Sequence, residues 1–162
     1  MADDKFPMTP SGVRTLKAEL KQLKDVERFD NVREIEAALE HGDLRENAEY
    51  HAAKERQAQI DARIRYLEYR IAKALIIDPK KMNNARIAFG ATVTLNDMDS
   101  EDELVYAIVG EDEADADRGK INIASPIARA MMGKEPGDEV IVRLPKGDRE
   151  LEVVSVEYKE IP

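Results

Sequence analysis

A chain of 162 residues with no cysteine fits one or two small domains and excludes both a disulfide framework and a thiolate metal site. The net charge of −9 argues against a protein that clamps duplex DNA, because that task needs a basic surface to neutralise phosphates. No apolar run approaches the length of a membrane span, and residues Met1 to Lys5 lack the basic and then apolar pattern of a signal peptide. We therefore expect a cytoplasmic protein that binds no membrane.

The first long segment has the apolar spacing of an amphipathic helix. Helix-start residues around Ser11 precede it, and the spacing predicts a helix from there to about Glu40. The register changes on the way, so we expect a local unwinding between Val26 and Asp30. The apolar residues before the change are Val13, Leu16, Leu20 and Leu23, and those after it are Val32, Ile35 and Leu39.

A second segment shows a cleaner heptad pattern and predicts a helix that ends near Ile77, before Asp78 and Pro79. Two helices joined by a few residues run antiparallel and bury their apolar stripes against each other, so we expect a coiled-coil hairpin. The heptad residues are Ile60, Ile64, Leu67, Ile71 and Ala74, and three alanines near the turn, Ala48, Ala52 and Ala53, allow close approach.

The turn between these helices is short and rich in carboxylates. Gly42 is typical of the residue that follows a helix C-terminus in the left-handed conformation. Asp43 and Glu46 are three residues apart, so both can direct oxygens to one point, as a hard cation such as Mg²⁺ requires. The same pair also fits a capping box that starts the second helix. The flanking His41 and His51 are too few for a histidine-ligated metal site and are expected to be solvated.

Arg56, Arg63 and Arg70 recur every seven residues on the second helix. One interpretation is a basic track for the phosphates of a single nucleic-acid strand, although the pattern shows no interleaved aromatic residues for base stacking. The other is that these arginines flank the seam and pair with glutamates of the first helix. Both interpretations stay open at the level of sequence.

Beyond residue 79 the period changes from helix to strand, and the acidity rises to 18 Asp/Glu against 11 Lys/Arg. One short helix interrupts the strands, with Ser125 as its cap, Pro126 in its first turn and Gly133 after its end. We therefore predict an α+β protein with a helical hairpin in residues 1–79 and an antiparallel sheet domain in residues 80–162. The predicted strands cover residues 91–95, 103–109, 120–123, 139–144 and 150–156.

Four stretches of the sequence resemble the bacterial Gre transcript cleavage factors of the GreA type. The resemblance covers nearly the whole chain, and in that family a coiled coil precedes a domain similar to the FKBP fold. The stretches are His41 to Ala53 (HGDLRENAEYHAA), Phe89 to Val93 (FGATV), Ile108 to Asp115 (IVGEDEAD) and Ser125 to Arg129 (SPIAR).

The resemblance implies a transcription elongation factor that is not an enzyme by itself, and we expect the protein to be a monomer. Its C-terminal domain would dock on RNA polymerase, with Ser125 and Pro126 as docking residues, while the coiled coil enters the secondary channel. Asp43 and Glu46 would then help the polymerase hold a Mg²⁺ ion that the free protein does not bind, and a water would cleave the nascent RNA near its backtracked 3′ end.

Two alternatives stay open, a non-cleaving member of the same family and a protein of another class. A non-cleaving homologue would occupy the same channel and inhibit or modulate the polymerase, but Asp43 and Glu46 match the cleaving members. A peptidyl-prolyl isomerase is suggested by the fold of the C-terminal domain. With five Tyr, three Phe and no Trp the chain has little for an aromatic proline pocket, and a fold alone does not establish a function.

Overall fold

A computed structural model describes residues 4–42 and 47–162 of the chain. By their internal contacts these residues form two units, a helical unit, Val13–Lys73, and a second unit that joins residues 4–12 to Ala74–Pro162. This grouping differs from a division after residue 79, because the first strand of the chain pairs with a strand that directly follows the helical unit. Among the described residues, no helix has the length and apolar character needed to cross a membrane.

The helical elements are α1 (Pro10–Gln22), a π-helical segment (Leu23–Glu27), α2 (Arg28–Leu39) and α3 (Ala48–Ala72). The π-helical segment confirms the predicted unwinding, three residues earlier than expected. Its i→i+5 pairing adds a residue to the turn and so rotates the face that the following helix buries.

Because of this rotation, α2 buries other residues than the sequence predicted. Val32 and Leu39 are 43% and 46% exposed, whereas Asn31 and Ala38 are buried against α3. Asn31 donates a hydrogen bond from Nδ2 to the backbone oxygen of Ala53 at 2.9 Å. A buried amide with a single partner across a helical seam fixes the register of the two helices. On α3 the predicted Ile60, Ile64 and Leu67 are buried, as is Ala53, but Ala48 and Ala52 are exposed.

The second helix ends earlier than predicted. It stops at Ala72, and Ala74–Ile76 form strand β2, which pairs in parallel with β1 (Phe6–Met8). Ile77 then donates a backbone hydrogen bond to the oxygen of Met8 at 2.9 Å. Residues 74–76 therefore satisfy their backbone groups in a sheet.

Beside this small sheet, a carboxylate ties the residues before α1 to a distant loop of the same unit. The backbone N–H groups of Thr9 and Gly110 donate to Oε2 of Glu113 at 3.1 and 3.2 Å, and the Thr9 hydroxyl bonds to Oε1 of the same residue. Thr9 is almost completely buried, and its Oγ1 accepts from the N–H of Gly12 at 3.1 Å, which caps the start of α1.

The larger sheet has five strands, β3 (Thr92–Asp97), β4 (Glu103–Val109), β5 (Lys120–Asn122), β6 (Glu139–Leu144) and β7 (Gly147–Glu157). Their order in the sheet is β5-β4-β3-β7-β6. All its neighbouring pairs are antiparallel except β4 and β5, so the sheet is mixed, and the prediction of a purely antiparallel sheet is wrong in this one pair. The chain passes through two short 3₁₀ turns after β4, which brings β5 back in the same direction as β4.

One face of this sheet forms the core together with the short helix α4 (Pro126–Met131). Ser125 accepts a hydrogen bond on Oγ from the N–H of Ala128 at 3.3 Å, and Gly133 has φ +79°, so the predicted cap and terminator of this helix are confirmed. The core consists of the fully or almost fully buried residues Ile87, Ala91, Val93, Leu95, Ile108, Ile121, Ala128, Met131, Val140, Val142, Leu151 and Val153.

Candidate functional site

The predicted metal-binding carboxylates, Asp43 and Glu46, lie outside the described residues, but the two ends of their turn are described. On the first side, Gly42 has φ +85°, as predicted for the residue after a helix. On the other side, α3 begins at Ala48 with Asn47 as its cap. The turn therefore connects a left-handed glycine to a capped helix start.

The side chain of Asn47 has two partners. Its Oδ1 accepts from the N–H of Tyr50 at 3.0 Å, which is the capping bond, and its Nδ2 donates to the oxygen of Ala38 at 2.5 Å. The capping box predicted for Asp43 and Glu46 is thus wrong for α3, because Asn47 caps that helix. The sequence analysis missed Asn47, although asparagine before an alanine-rich helical segment is a recognisable cap signal.

A polar side-chain contact also joins the two sides of the turn. Nε2 of His41 lies 3.1 Å from Oε2 of Glu49, and both side chains are exposed. His51 packs edge-on against Tyr50, with 5.8 Å between ring centroids. Within residues 4–42 and 47–162 no group of three His, Asp or Glu side chains is arranged to hold a metal ion.

Two of the three recurring arginines pair across the seam of the hairpin. Arg63 binds Glu19 through Nε and Nη2, at 2.6 and 3.0 Å, and Arg56 forms an ion pair with Glu34. These contacts support the pairing interpretation for both arginines. Because all four side chains are partly exposed, each pair contributes about 0–1 kcal/mol to stability.

The third arginine, Arg70, is only 8% exposed and lies against an aromatic ring. Two guanidinium groups lie near the ring of Tyr66. Cζ of Arg63 is 5.2 Å from the ring centroid, and Cζ of Arg70 is 5.8 Å from it. The spacing 63–66–70 places all three on one helix face, a signal that the sequence analysis overlooked when it found no aromatic residue among the arginines. The basic face of α3 therefore carries an aromatic residue.

The predicted docking residues lie at the start of α4. Pro126 is exposed, and Ser125 is half-buried with its hydroxyl committed to the helix cap. Met131 is fully buried in the core, while Met132 is partly exposed. Of the two predicted docking residues, Pro126 is therefore the one that faces solvent.

One carboxylate in the same unit has a clearly shifted pKa. Backbone N–H groups of Asp99 and Ser100 donate to Oδ1 of Asp97 and, with the nearby Arg149 guanidinium, hold the pKa of this carboxyl below its ordinary value. The contacts close the turn between β3 and β4 and join it to β7. Asp97 is a structural carboxylate and takes no part in the candidate site.

A helical hairpin with a short acidic turn, joined to a mixed five-stranded sheet with one helix, defines a two-unit α+β protein. Two family models match it, "Transcription elongation factor, N-terminal" over residues 6–76 and "Transcription elongation factor, GreA/GreB, C-term" over residues 82–158. The chain belongs to the GreA/GreB family of transcription elongation factors, which confirms the family predicted from its motifs.

Curated relatives match this chain over almost its full length. The chain is 54% identical over 156 residues to transcription elongation factor GreA of Hyphomonas neptunium, covering 96% of this chain and 99% of the relative. It is 51% identical over 160 residues to transcription elongation factor GreA of Francisella tularensis subsp. novicida, covering 98% and 100%. Among solved structures, GreA factor homolog 1 of Thermus thermophilus is 29% identical over 95% of this chain and 99% of that chain, with a TM-score of 0.43.

Proposed function

We propose that this elongation factor binds RNA polymerase through its secondary channel and stimulates cleavage of backtracked nascent RNA. In this proposal the hairpin enters the channel and brings Asp43 and Glu46 to the active centre of the polymerase. The polymerase supplies the other metal ligands and the RNA 3′ end. The factor itself contributes two carboxylates and their placement.

The observation that carries the proposal is the cap of α3. Asn47 accepts the hydrogen bond from Tyr50 that a helix start requires, so the start of α3 does not depend on Asp43 or Glu46. The two acidic residues of the four-residue connection are therefore available for another role. Binding a divalent cation would use both carboxylates.

The donor chemistry of this pair suits Mg²⁺. A hard divalent cation prefers carboxylate oxygens and keeps several waters or takes ligands from a second molecule, so two carboxylates fit a site shared with another protein. When bound, Mg²⁺ lowers the pKa of a coordinated water and stabilises the charge that develops on phosphate oxygens. Asp43 and Glu46 would hold the ion.

The role of the basic face in binding RNA stays a prediction. Arg56 and Arg63 can contact an RNA phosphate only by giving up or sharing their glutamates, Glu34 and Glu19. These pairs are partly exposed and worth little energy, so a phosphate can compete for the guanidinium groups. Tyr66 adds a ring on which a base can stack, which is the element missing from the sequence pattern.

Substitutions at the turn test the metal role. In a stalled, backtracked elongation complex with 3′-labelled RNA, we expect Asp43→Asn and Glu46→Gln each to abolish most of the stimulated cleavage and to raise the Mg²⁺ concentration that the remainder requires. Binding to the polymerase and the melting temperature should stay near those of the wild-type protein. Asn and Gln keep the shape and the capping ability of the acids, so only the loss of charge is tested.

Two matched controls remove one exposed carboxylate from each helix of the hairpin, Asp30→Asn on α2 and Glu55→Gln on α3. Both should cleave like the wild-type protein, which shows that a general loss of negative charge does not inhibit. Near-normal cleavage by Asp43→Asn and Glu46→Gln at low Mg²⁺ would overturn the metal role.

A further inference from the structure

A cavity of about 330 Å³ lies on the side of the five-stranded sheet that faces away from the core. One row of the sheet lines it, because Thr92 on β3 pairs with Ala107 on β4, and Ala107 pairs with Lys120 on β5. Paired residues of neighbouring strands direct their side chains to one face, and the residue that follows each of the three belongs to the core. Ala107 is small, so this row leaves space above the sheet.

Residues 159–162 also line the cavity. Two contacts hold them in place. Ile161 is only 5% exposed, and Nζ of Lys120 donates a hydrogen bond to the backbone oxygen of Pro162. The cavity is therefore enclosed between β3, β4 and β5 on one side and a fixed segment of chain.

Thr92 is a buried polar residue at this cavity. It is only 9% exposed, and the exposure that it keeps is to the cavity that it lines. Among the residues that the structure describes, the Thr92 hydroxyl has no hydrogen-bond partner. A buried hydroxyl normally has a partner, because leaving its hydrogen bond unmade is unfavourable. A polar group bound in the cavity would supply that partner.

Cations outnumber acids around the cavity. Arg118, Lys120 and Lys159 line it, and Glu160 is the one acidic residue among the described residues that do so. This excess is opposite to the charge of the surrounding sequence, since residues 80–162 hold 18 Asp/Glu against 11 Lys/Arg. The local charge therefore favours an anion.

The three cations are available to a ligand. Arg118 and Lys159 each have a neighbouring carboxylate, Asp115 and Glu157, but both distances are 3.6 Å and all four side chains are exposed. Exposed pairs at this distance are weak, so an anion can compete for the cations. Lys120 has three N–H donors and uses one of them on Pro162.

We propose that this cavity binds a small organic anion, a carboxylate or a phosphate monoester with a compact aliphatic body. Its anionic oxygens accept hydrogen bonds from Arg118, Lys120 and the Thr92 hydroxyl, and its body packs on Val105 and Ala107. The inference does not depend on the proposed function.

Two properties of the cavity limit the class of ligand. Its volume is near the lower end of the range for ligand pockets, about 300–1,000 Å³, so the ligand has the size of a metabolite and not of a peptide. The described residues that line it include no aromatic ring, so the cavity offers no platform on which a nucleobase can stack.

Hexanoate is the probe for the proposed site, and acetate, hexylamine and hexyl phosphate are its comparisons. The full-length protein, with labelled methyl groups, is titrated with each compound at constant ionic strength and followed by NMR. Hexanoate should shift the methyl resonances of Val105, Ala107 and Ile161. It should bind about tenfold more tightly than acetate, because burial of two of its four additional methylenes corresponds to about that factor. Hexylamine has the same chain length and the opposite charge, and should leave these resonances unchanged.

Variants separate the charges from the fold. Arg118→Gln and Lys120→Met should each weaken hexanoate binding about fivefold, with a smaller difference at high salt. Arg118 is exposed, so its variant should keep the wild-type melting temperature. Thr92→Val should weaken binding about threefold while the melting temperature of the free protein stays unchanged or rises, because the unpaired hydroxyl is removed. The matched control Lys146→Met removes an exposed cation from the turn between β6 and β7 and should bind hexanoate like the wild-type protein.

Hexanoate binding no tighter than that of acetate would overturn the proposal, as would equal shifts with hexylamine. Wild-type affinity of both Arg118→Gln and Lys120→Met would overturn it too. Tighter binding of hexyl phosphate than of hexanoate would assign the head group to a phosphate monoester, and the reverse order would assign it to a carboxylate. Either order, with the shifts at Val105, Ala107 and Ile161, supports the site.

Discussion

Substitutions at Asn47 can separate the contributions of its two side-chain hydrogen bonds to the stability of the hairpin. Its Oδ1 caps α3 by accepting from Tyr50, and its Nδ2 donates to the buried end of α2 at Ala38. Asn47→Ala removes both bonds. Asn47→Asp keeps the acceptor for the cap and loses only the donor.

The expected magnitudes follow from these contacts. Loss of an Asn cap costs about 1 kcal/mol of stability. The oxygen of Ala38 keeps a backbone donor from His41 at 3.2 Å, so losing the amide donor does not leave this oxygen unsatisfied, and that loss costs about 1 kcal/mol. Asn47→Ala should therefore destabilise the hairpin by about 2 kcal/mol and Asn47→Asp by about half of that.

Helical circular dichroism followed through urea denaturation measures both variants. Gln59→Ala, an exposed change on α3, is the control and should stay within about 0.5 kcal/mol of the wild-type protein. Equal stability of Asn47→Asp and the wild-type protein would show that the bond to Ala38 contributes nothing. Equal destabilisation of both variants would refute the capping role. Because Asn47 follows Glu46 directly, we also expect Asn47→Ala to slow cleavage at saturating factor more than it weakens polymerase binding.

Three further outcomes follow from single contacts. Arg63→Ala should lower the stability of the hairpin by no more than about 1 kcal/mol, measured by urea denaturation, because its pair with Glu19 is partly exposed; if this arginine also contacts RNA, crosslinking to the RNA 3′ end should fall by more than the folded fraction does. Gly110→Ala should lower the melting temperature clearly, since a Cβ atom there would lie 2.2 Å from the backbone oxygen of Pro7, and an unchanged melting temperature would contradict this packing. Asp97→Asn should lower the melting temperature at pH 7. A carboxyl whose pKa is lowered by folding adds stability above about pH 4 and loses it as the pH falls through its folded pKa, so the difference from wild type should shrink as the pH is lowered below about 4.

The features that were predicted correctly depend on signals that are local in the chain. Gly42 after a helix and Ser125 before Pro126 specify a terminator and a cap within a few residues, whatever the rest of the molecule does. The strands β4 and β6 have the predicted bounds, because alternating burial is visible in five to seven residues. For the same reason the register change in the first helix was detected before the structure described its π-helical turn.

The features that were missed depend on partners far away in sequence. Ala74 continues the heptad of α3, but it pairs in parallel with Phe6 and is part of a strand. No pattern in the residues around Ala74 indicates this pairing. Asn31 is polar and was not a candidate for the seam until the π-helical turn rotated it inward. At the candidate site, the motif identified the acidic pair, while the capping role of Asn47 became clear only from its contacts with Tyr50 and Ala38.

The pairing of β1 with β2 has a consequence for the order in which the chain folds. Residues 6–9 leave the ribosome before the entire helical hairpin, yet the partners of Phe6–Met8, Ala74–Ile76, and the partner of Thr9, Glu113, are synthesised much later. Contacts between sequence neighbours form quickly, and long loops close slowly. During synthesis the hairpin can therefore fold before β1 has a partner. The hydrogen bond between Thr9 and Glu113, which are 104 residues apart, can form only after most of the protein has emerged. Residues 6–9 are therefore made before the hairpin but reach their final contacts after it.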